Sequence, residues 1–358
     1  MPTSRVGLRQ VLPWLPCRVF ALATMLIITI DAHASERDFA VGYSRLSTAD
    51  PMGGPMQYSL WYPTEVPNGL VRLGPLEFPG TRDAEPATGP FGLVVLSHGS
   101  GGADLSHWDT AVALAKAGFI VAAPLHPRNN FRHDLGDQRI VLDGRPRQLS
   151  AVIDALLAQE PWSSRIDPRK IGAFGFSAGG YTVLAALGAE PVHARTLDHC
   201  TRHASDDPYC RIINGPGRAT RIKTYDDPAP PLFDGRLRAA VIADAFATPF
   251  PDRTLKILPP AALLFFRPEE EDVLKAEFHI SRVVRLLKQR DDFPEPREIV
   301  VPKANHFAFI GPIPEVVARS IPEIAANPEG FDRAAFHDEM NSTIVTFLKQ
   351  ALSDSAEN

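Results

Sequence analysis

The chain is 358 residues long and mildly acidic, with 37 Lys and Arg against 42 Asp and Glu and a formal net charge of −5. That balance offers no electrostatic case for binding nucleic acid or an anionic membrane surface. A hydrophobic fraction of 44% with 22% charged residues is ordinary globular composition, enough for one large domain or two small ones, and 34 Pro against 25 Gly favours ordered loops over flexible linkers.

Residues 1–34 read as a cleavable signal peptide. Arg5, Arg9 and Arg18 form a positive leading region, residues 19–30 (VFALATMLIITI) an apolar stretch too short for a comfortable membrane span, and Ala32-His33-Ala34 a small-residue cleavage site. The competing reading is an uncleaved N-terminal anchor. Cys17 precedes the apolar run, which is the wrong place for a lipidated mature N-terminus. No second long apolar stretch follows, so the processed chain is expected to lack a membrane span and to be periplasmic or secreted. Residues 35–358 are expected to form one domain.

Residues 38–63 alternate and carry aromatics, which predicts an antiparallel hairpin turning at residues 51–54 (PMGG). Residues 64–90 are rich in Pro and Gly and read as loop. Residues 91–96 (FGLVVL) are a buried strand, followed at once by Ser97-His98-Gly99-Ser100-Gly101-Gly102. A helix is expected over 104–116, a buried strand over 119–123, an irregular stretch over 128–146 and an amphipathic helix over 147–159. That last helix carries Leu149, Val152, Ile153, Leu156 and Leu157 at helical spacing.

Residues 171–176 are again apolar. They run into Gly175-Phe176-Ser177-Ala178-Gly179 and then an Ala/Leu-rich helix to about residue 188. Residues 190–236 form a polar insert. Strands over 237–243 and 261–266 follow, then a helix over 275–289, a last strand over 297–301 and a C-terminal helix over 331–352. Apolar strands alternating with amphipathic helices predict an α/β fold with a mainly parallel sheet covered on both faces. Ligands of such sheets bind beyond the carboxyl ends of the strands. Ser177, Asp244, His306, the 98–102 loop and the acidic cluster 267–272 all fall there.

A serine between glycines at a strand-to-helix junction is the mark of a nucleophile elbow, although alone it is also compatible with a glycine-rich turn and an incidental Ser. Acyl transfer by Ser needs a base and a carboxylate that orients it, in the chain order Ser, acid, His. Ser177, Asp244 and His306 satisfy that order. Glu271, flanked by Glu269, Glu270 and Asp272, competes for the acid. Asp244 is favoured because it is one carboxylate among apolar neighbours (VIADAF), whereas EEED has the look of a solvated face. The backbone N–H groups of Ala178 and Ser100 are the candidate oxyanion donors. The glycine loop lacks the Gly-Lys-Ser/Thr ending of a phosphate loop and fails as a dinucleotide fingerprint at Asp104.

Cys200 and Cys210 remain after export and are read as a disulfide. Free thiols or a metal site with His193, His199 and His203 are the alternatives, but the spacing matches no zinc pattern. No metal or cofactor is expected.

These residues resemble the α/β-hydrolase superfamily. More narrowly they look like its bacterial dienelactone-hydrolase-like branch, which is also similar to platelet-activating factor acetylhydrolases. The resemblance covers most of residues 40–352. It rests on Leu96-Ser97-His98-Gly99, Gly175-Phe176-Ser177-Ala178-Gly179-Gly180, Ala243-Asp244-Ala245-Phe246 and Asn305-His306-Phe307. It implies an acid after the strand that follows the elbow helix, in agreement with Asp244. Dienelactone hydrolases proper use Cys as nucleophile; Ser177 stands here, so their substrate does not carry over. The 190–236 insert departs from the compact pattern and occupies the place where hydrolases of this fold often carry a lid. The expectation is an exported serine hydrolase acting on a small-molecule or lipid-like carboxylic ester. Its rivals are a non-catalytic binding protein with the same fold and a hydrolase of lactones or amides.

Overall fold

The computed structural model describes residues 38–134, 137–213 and 231–354. The expected signal peptide and part of the polar insert lie outside these residues. The chain opens with strands β1 (Ala40–Ala49) and β2 (Pro55–Thr64), an antiparallel hairpin as the alternation predicts. The stretch expected to be loop instead holds a second hairpin, β3 (Gly69–Leu73) and β4 (Leu76–Arg82). Pro79 lies inside β4, and a proline normally argues against a strand. It is tolerated because β1 pairs with β4 only at Thr81 and Arg82, so at Pro79 the strand has a neighbour on one side alone and the missing N–H leaves no gap on the other.

Strands β5 (Phe91–Ser97) and β6 (Phe119–Pro124) come next, then a two-residue ladder of β7 (Asn129–Asn130) with β8 (His133–Asp134). The remaining strands are β9 (Ile166–Phe176), β10 (Leu237–Ala243), β11 (Ala262–Pro268) and β12 (Arg297–Val301). All but β7 and β8 join one 10-stranded sheet in the order β12-β11-β10-β9-β5-β6-β2-β1-β4-β3. From β6 to β12 every pairing is parallel, and β2 joins β6 antiparallel.

The apolar runs are buried on both faces, as parallel strands must be when helices cover both sides. Strand β5 sends Leu93 and Val95 into one core and Val94 and Leu96 into the other. Helices Arg145–Ala158, Ala178–Ala186 and Ile280–Lys288 fill the first core, contributing Leu149, Tyr181 and Val283. Helices Trp108–Lys116 and Arg333–Asp354 fill the second. The C-terminal helix lays Met340, Ile344, Leu348 and Leu352 along one stripe, four residues apart, and each such buried side chain contributes about 1.5–3 kcal/mol.

A polar fastening adds direction to this apolar packing. His337 Nε2 donates to the Ala308 carbonyl at 2.9 Å, and its Nδ1 lies 2.6 Å from Asp109 Oδ2. Asn341 Nδ2 donates to the same carboxylate oxygen at 2.8 Å. Burial alone would raise the Asp109 carboxyl; the His337 and Asn341 hydrogen bonds bring it below its ordinary value. The C-terminal helix thus holds the 3₁₀ turn His306–Phe309.

The closest approach in the fold lies under Ser177. A Cβ on Gly179 would come 1.8 Å from the Ser97 carbonyl oxygen, and one on Gly175 2.2 Å from the Gly179 oxygen. Strands β5 and β9 and the helix after Ser177 can meet only because these side chains are absent. Alanine in a helix normally gains up to about 1 kcal/mol over glycine, but a backbone clash of this depth outweighs it. Gly179→Ala is therefore expected to lower the unfolding free energy by about 3 kcal/mol or more. Urea titration of the purified variant checks this, and unchanged stability would refute the packing argument.

Four buried histidines give the fold a pH dependence. Burial lowers His98, His126 and His279, and brings His107 down to about 4 from 6.5. Between 6.5 and the lowered folded values the unfolded chain binds more protons than the folded one. Stability is therefore fully present above about pH 6.5 and declines as pH falls towards about 4, each ring contributing up to about 1.4 kcal/mol per pH unit. Urea midpoints measured at intervals from pH 7.5 to 4.5 should fall steadily; a flat profile down to pH 5 contradicts the assignment.

Candidate active site

Ser177 stands between β9 and the helix Ala178–Ala186 with φ 55° and ψ −115°. A non-glycine residue at positive φ is rare and costs about 1–3 kcal/mol. The turn is held by three backbone bonds. Ser177 N–H donates to the Ala243 carbonyl at 3.0 Å, and the Ser177 carbonyl accepts from Tyr181 N–H and Phe246 N–H, both at 3.1 Å. The strained residue is thus tied to the end of β10 as well as to its own helix.

Asp244 begins the segment that leaves β10. Its N–H donates to the Phe266 carbonyl at 2.8 Å, and its own φ is 37°. The carboxylate is 1% exposed, enough to exclude solvent competition for its oxygens. Oδ2 lies 2.5 Å from His306 Nδ1, and His306 Nε2 lies 3.1 Å from Ser177 Oγ. Because the Nδ1–H donates to Asp244, Nε2 is the nitrogen free to accept from the serine. Hydroxyl, imidazole and carboxylate, scattered over 129 positions of sequence, form one hydrogen-bonded chain. The Phe176 ring, one residue before the serine, lies 4.8 Å from the imidazole and supports it.

Glu271 lies elsewhere in this arrangement, its Oε2 2.7 Å from Lys275 Nζ. The acidic cluster around it is not merely a solvated face. Asp272 Oδ1 accepts the His306 N–H at 2.9 Å, and Glu269 Oε2 accepts the Lys303 N–H at 2.8 Å. Two of the four carboxylates therefore hold the backbone that carries His306. The sequence signal was visible, but nothing in it assigned these acids to a loop more than 30 residues away.

The loop after β5 passes over Ser177. A Cβ on Gly99 would lie 3.5 Å from Ser177 Cβ. Gly102 N–H donates to the Gly99 carbonyl at 3.1 Å, closing a turn whose central residues are Ser100 and Gly101, the latter at φ 69°. Ser100 is exposed and its Oγ accepts from Asn129 Nδ2 at 3.0 Å. Ala178 N–H opens its helix, where no carbonyl one turn back is available to it.

A buried polar layer supports this loop, and sequence reasoning missed it. Arg145, fully buried, donates through an Nη2 N–H to the His98 carbonyl. Asp50 Oδ1 accepts from Gln148 Nε2 at 3.0 Å, which points the Gln148 Oε1 at His126 Nδ1, 2.8 Å away. That fixes the proton on Nδ1 and leaves His126 Nε2 to accept from Ser97 Oγ at 2.9 Å. The one available signal was Gln148 among the apolar positions of the predicted amphipathic helix; Arg145 fell in the stretch expected to be irregular, and the helix in fact begins there.

Cys200 and Cys210 form the expected disulfide, with Cα atoms 5.0 Å apart. It joins helix Arg195–Arg202 to helix Pro208–Ile213, so the described part of the polar insert is helical. His199, Asp207 and Cys210 bring donor atoms within 4.8 Å of one another, but the Cys210 sulfur is committed to Cys200. Of the two other histidines weighed beside the cysteines, His193 Nε2 lies 2.8 Å from Asp143 Oδ1 and His203 Nδ1 3.5 Å from Asp206 Oδ2. Among the described residues no helix is long and apolar enough to cross a membrane.

No protein-family model matches the chain, and no curated protein matches it by sequence. Among solved structures it is similar to the ferulic acid esterase from Streptomyces cinnamoneus, at 18% identity and a TM-score of 0.59, over 91% of this chain and 93% of that one. With the strand order described above, this likeness identifies the fold as that of the α/β-hydrolases.

Proposed function

We propose that the protein is an exported serine hydrolase that cleaves carboxylic esters through an acyl-enzyme. The observation that carries this reading is the hydrogen-bonded chain from Ser177 Oγ through His306 to Asp244, set at the carboxyl ends of parallel strands. Ser177 Oγ attacks the ester carbonyl while His306 Nε2 takes its proton. Asp244 holds the ring in the competent tautomer and stabilises the imidazolium that forms. The Ala178 and Ser100 amides receive the developing oxyanion. His306 then protonates the departing alkoxide, and the alcohol leaves. Water, deprotonated by the same nitrogen, attacks the acyl carbonyl; the acyl–Oγ bond breaks, His306 returns the proton to Ser177 Oγ and the carboxylic acid leaves. The name of the structural neighbour, a ferulic acid esterase, is consistent with ester chemistry on this fold. The narrower likeness to acetylhydrolases bears on the position of the acid and leaves the acyl and alcohol groups open.

A fluorophosphonate probe is expected to label wild-type protein at Ser177 and to leave folded Ser177→Ala unlabelled. Chromogenic esters should be hydrolysed with kcat lowered by roughly 10⁴ in Asp244→Asn, where the wrong tautomer forms, and within about twofold of wild type in Glu271→Gln. The reverse ranking would move the acid to Glu271. Absence of both labelling and turnover in folded wild type would leave a binding protein as the reading.

Export is inferred from residues 1–34 alone. Expressed with its native N-terminus in a Gram-negative host, the mature protein should have an intact mass that begins at Ser35; a mass that includes Met1 would argue for an anchor.

A further inference from the structure

The disulfide-closed part of the insert reaches the segment that carries the candidate acid. Asp207 lies in the loop between Cys200 and Cys210 and is sealed from solvent. Its Oδ2 accepts from His199 Nε2 at 2.8 Å and from His279 Nε2 at 2.9 Å. Its Oδ1 accepts the backbone N–H of Tyr209 at 3.1 Å and of Lys275 at 3.3 Å. Burial would raise this carboxyl, but the two histidine hydrogen bonds hold it well below its ordinary value, so Asp207 is an anion that only accepts.

His279 is the link. It is completely buried, and its Nδ1 accepts the Ala247 N–H at 3.0 Å. A ring that accepts at Nδ1 must carry its proton on Nε2, which is the atom that faces Asp207. Burial keeps it neutral. The preceding amide, Phe246 N–H, donates to the Ser177 carbonyl. The Phe246 ring also packs on Tyr209 of the insert, with centroids 4.7 Å apart. The four residues from Asp244 to Ala247 are therefore stitched to the nucleophile on one side and to the insert on the other.

Asp244 needs this external hold. It sits at φ 37°, a conformation that a non-glycine residue keeps only when its surroundings impose it. Its Oδ1 makes no hydrogen bond among the described residues, so beyond the His306 contact no side-chain bond orients the carboxylate. The aim of Oδ2 at His306 is set by the backbone of the segment.

We propose that Asp207 and His279 are positioning residues for the Asp244 carboxylate, and that the disulfide-closed loop is a fixed wall of the active site rather than a moving lid. The Cys200–Cys210 bond keeps His199 and Asp207 together, Asp207 holds His279, and His279 holds the Ala247 amide. Support is transmitted over three side chains from an exported-type covalent link to the acid.

The inference rests on the serine-hydrolase reading, and the experiment separates the two. Kinetics on a chromogenic ester are compared for wild type, His279→Leu, Asp207→Asn and, as a control, Asp206→Asn. Asp206 is an exposed neighbour outside this chain of contacts. All proteins are assayed at a temperature where circular dichroism reports full folding. Misplacing the acid weakens only the transition state, so kcat should fall roughly ten- to a hundredfold in His279→Leu with KM within about threefold. Asp207→Asn keeps the size of the side chain and removes its charge, so it serves even if His279→Leu does not fold. It should lower kcat severalfold, again with KM retained, while Asp206→Asn matches wild type. A folded His279→Leu or Asp207→Asn with wild-type kcat overturns the positioning role and leaves the hydrolase reading intact. A wild type that neither turns over ester nor labels at Ser177 overturns both.

Discussion

The rim of this sheet depends on how closely the helix after Ser177 can approach strands β5 and β9. Gly175 and Gly179 have no room for even a methyl group. That approach forces Ser177 into positive φ and lifts its hydroxyl above the strand ends. The strain is sustained because apolar residues on both faces of the sheet supply far more stabilisation than the turn costs. It is also shared, since the Ser177 backbone is bonded to Ala243 and Phe246 beyond β10. Ser177 and Asp244 are therefore set by one piece of backbone geometry, not by two independent loops.

The third member of the chain is held differently. His306 follows the edge strand β12, so no second strand buttresses it from outside. Its support comes from carboxylates and from the C-terminal helix. Asp272 accepts its N–H, Glu269 accepts that of Lys303, and His337 fastens the Ala308 carbonyl. Charged acceptors on backbone N–H groups are stronger than neutral ones, which suits a turn that lacks neighbours. The acidic cluster and the buried His337–Asp109 pair are thus structural answers to the same edge problem.

The polar layers share a logic. Under the loop after β5, Asp50 fixes Gln148, which fixes His126, which fixes Ser97. Under the segment from Asp244 to Ala247, Asp207 fixes His279, which receives the Ala247 N–H. In both, an anion with no donors of its own sets the direction of every proton that follows. Such chains specify one arrangement because reversing any member strands a buried donor.

How much of this could be read beforehand follows from what each feature depends on. The alternating apolar strands and helices, the elbow glycines, the order of Ser177, Asp244 and His306 and the proximity of the two cysteines are written locally, in periodicity, residue size and spacing. The likeness of the fold to a solved ferulic acid esterase agrees with the reading of the strands and helices. The β3–β4 hairpin was missed because Pro79 is an unfavourable strand residue, tolerated only where the strand is paired on one side, and which side is paired is not a local property. Asp272, Arg145, His337 and the Asp207–His279 pair were missed for the same reason. Each is a polar residue with a partner 30 or more positions away, so its burial and its direction arise only when the sheet brings distant strand ends together. The sequence by itself determined which elements form and which residues reach the rim; tertiary structure alone decided which acid meets His306 and what holds it there, because a hydrogen bond depends on distance and direction in space rather than on position in the chain.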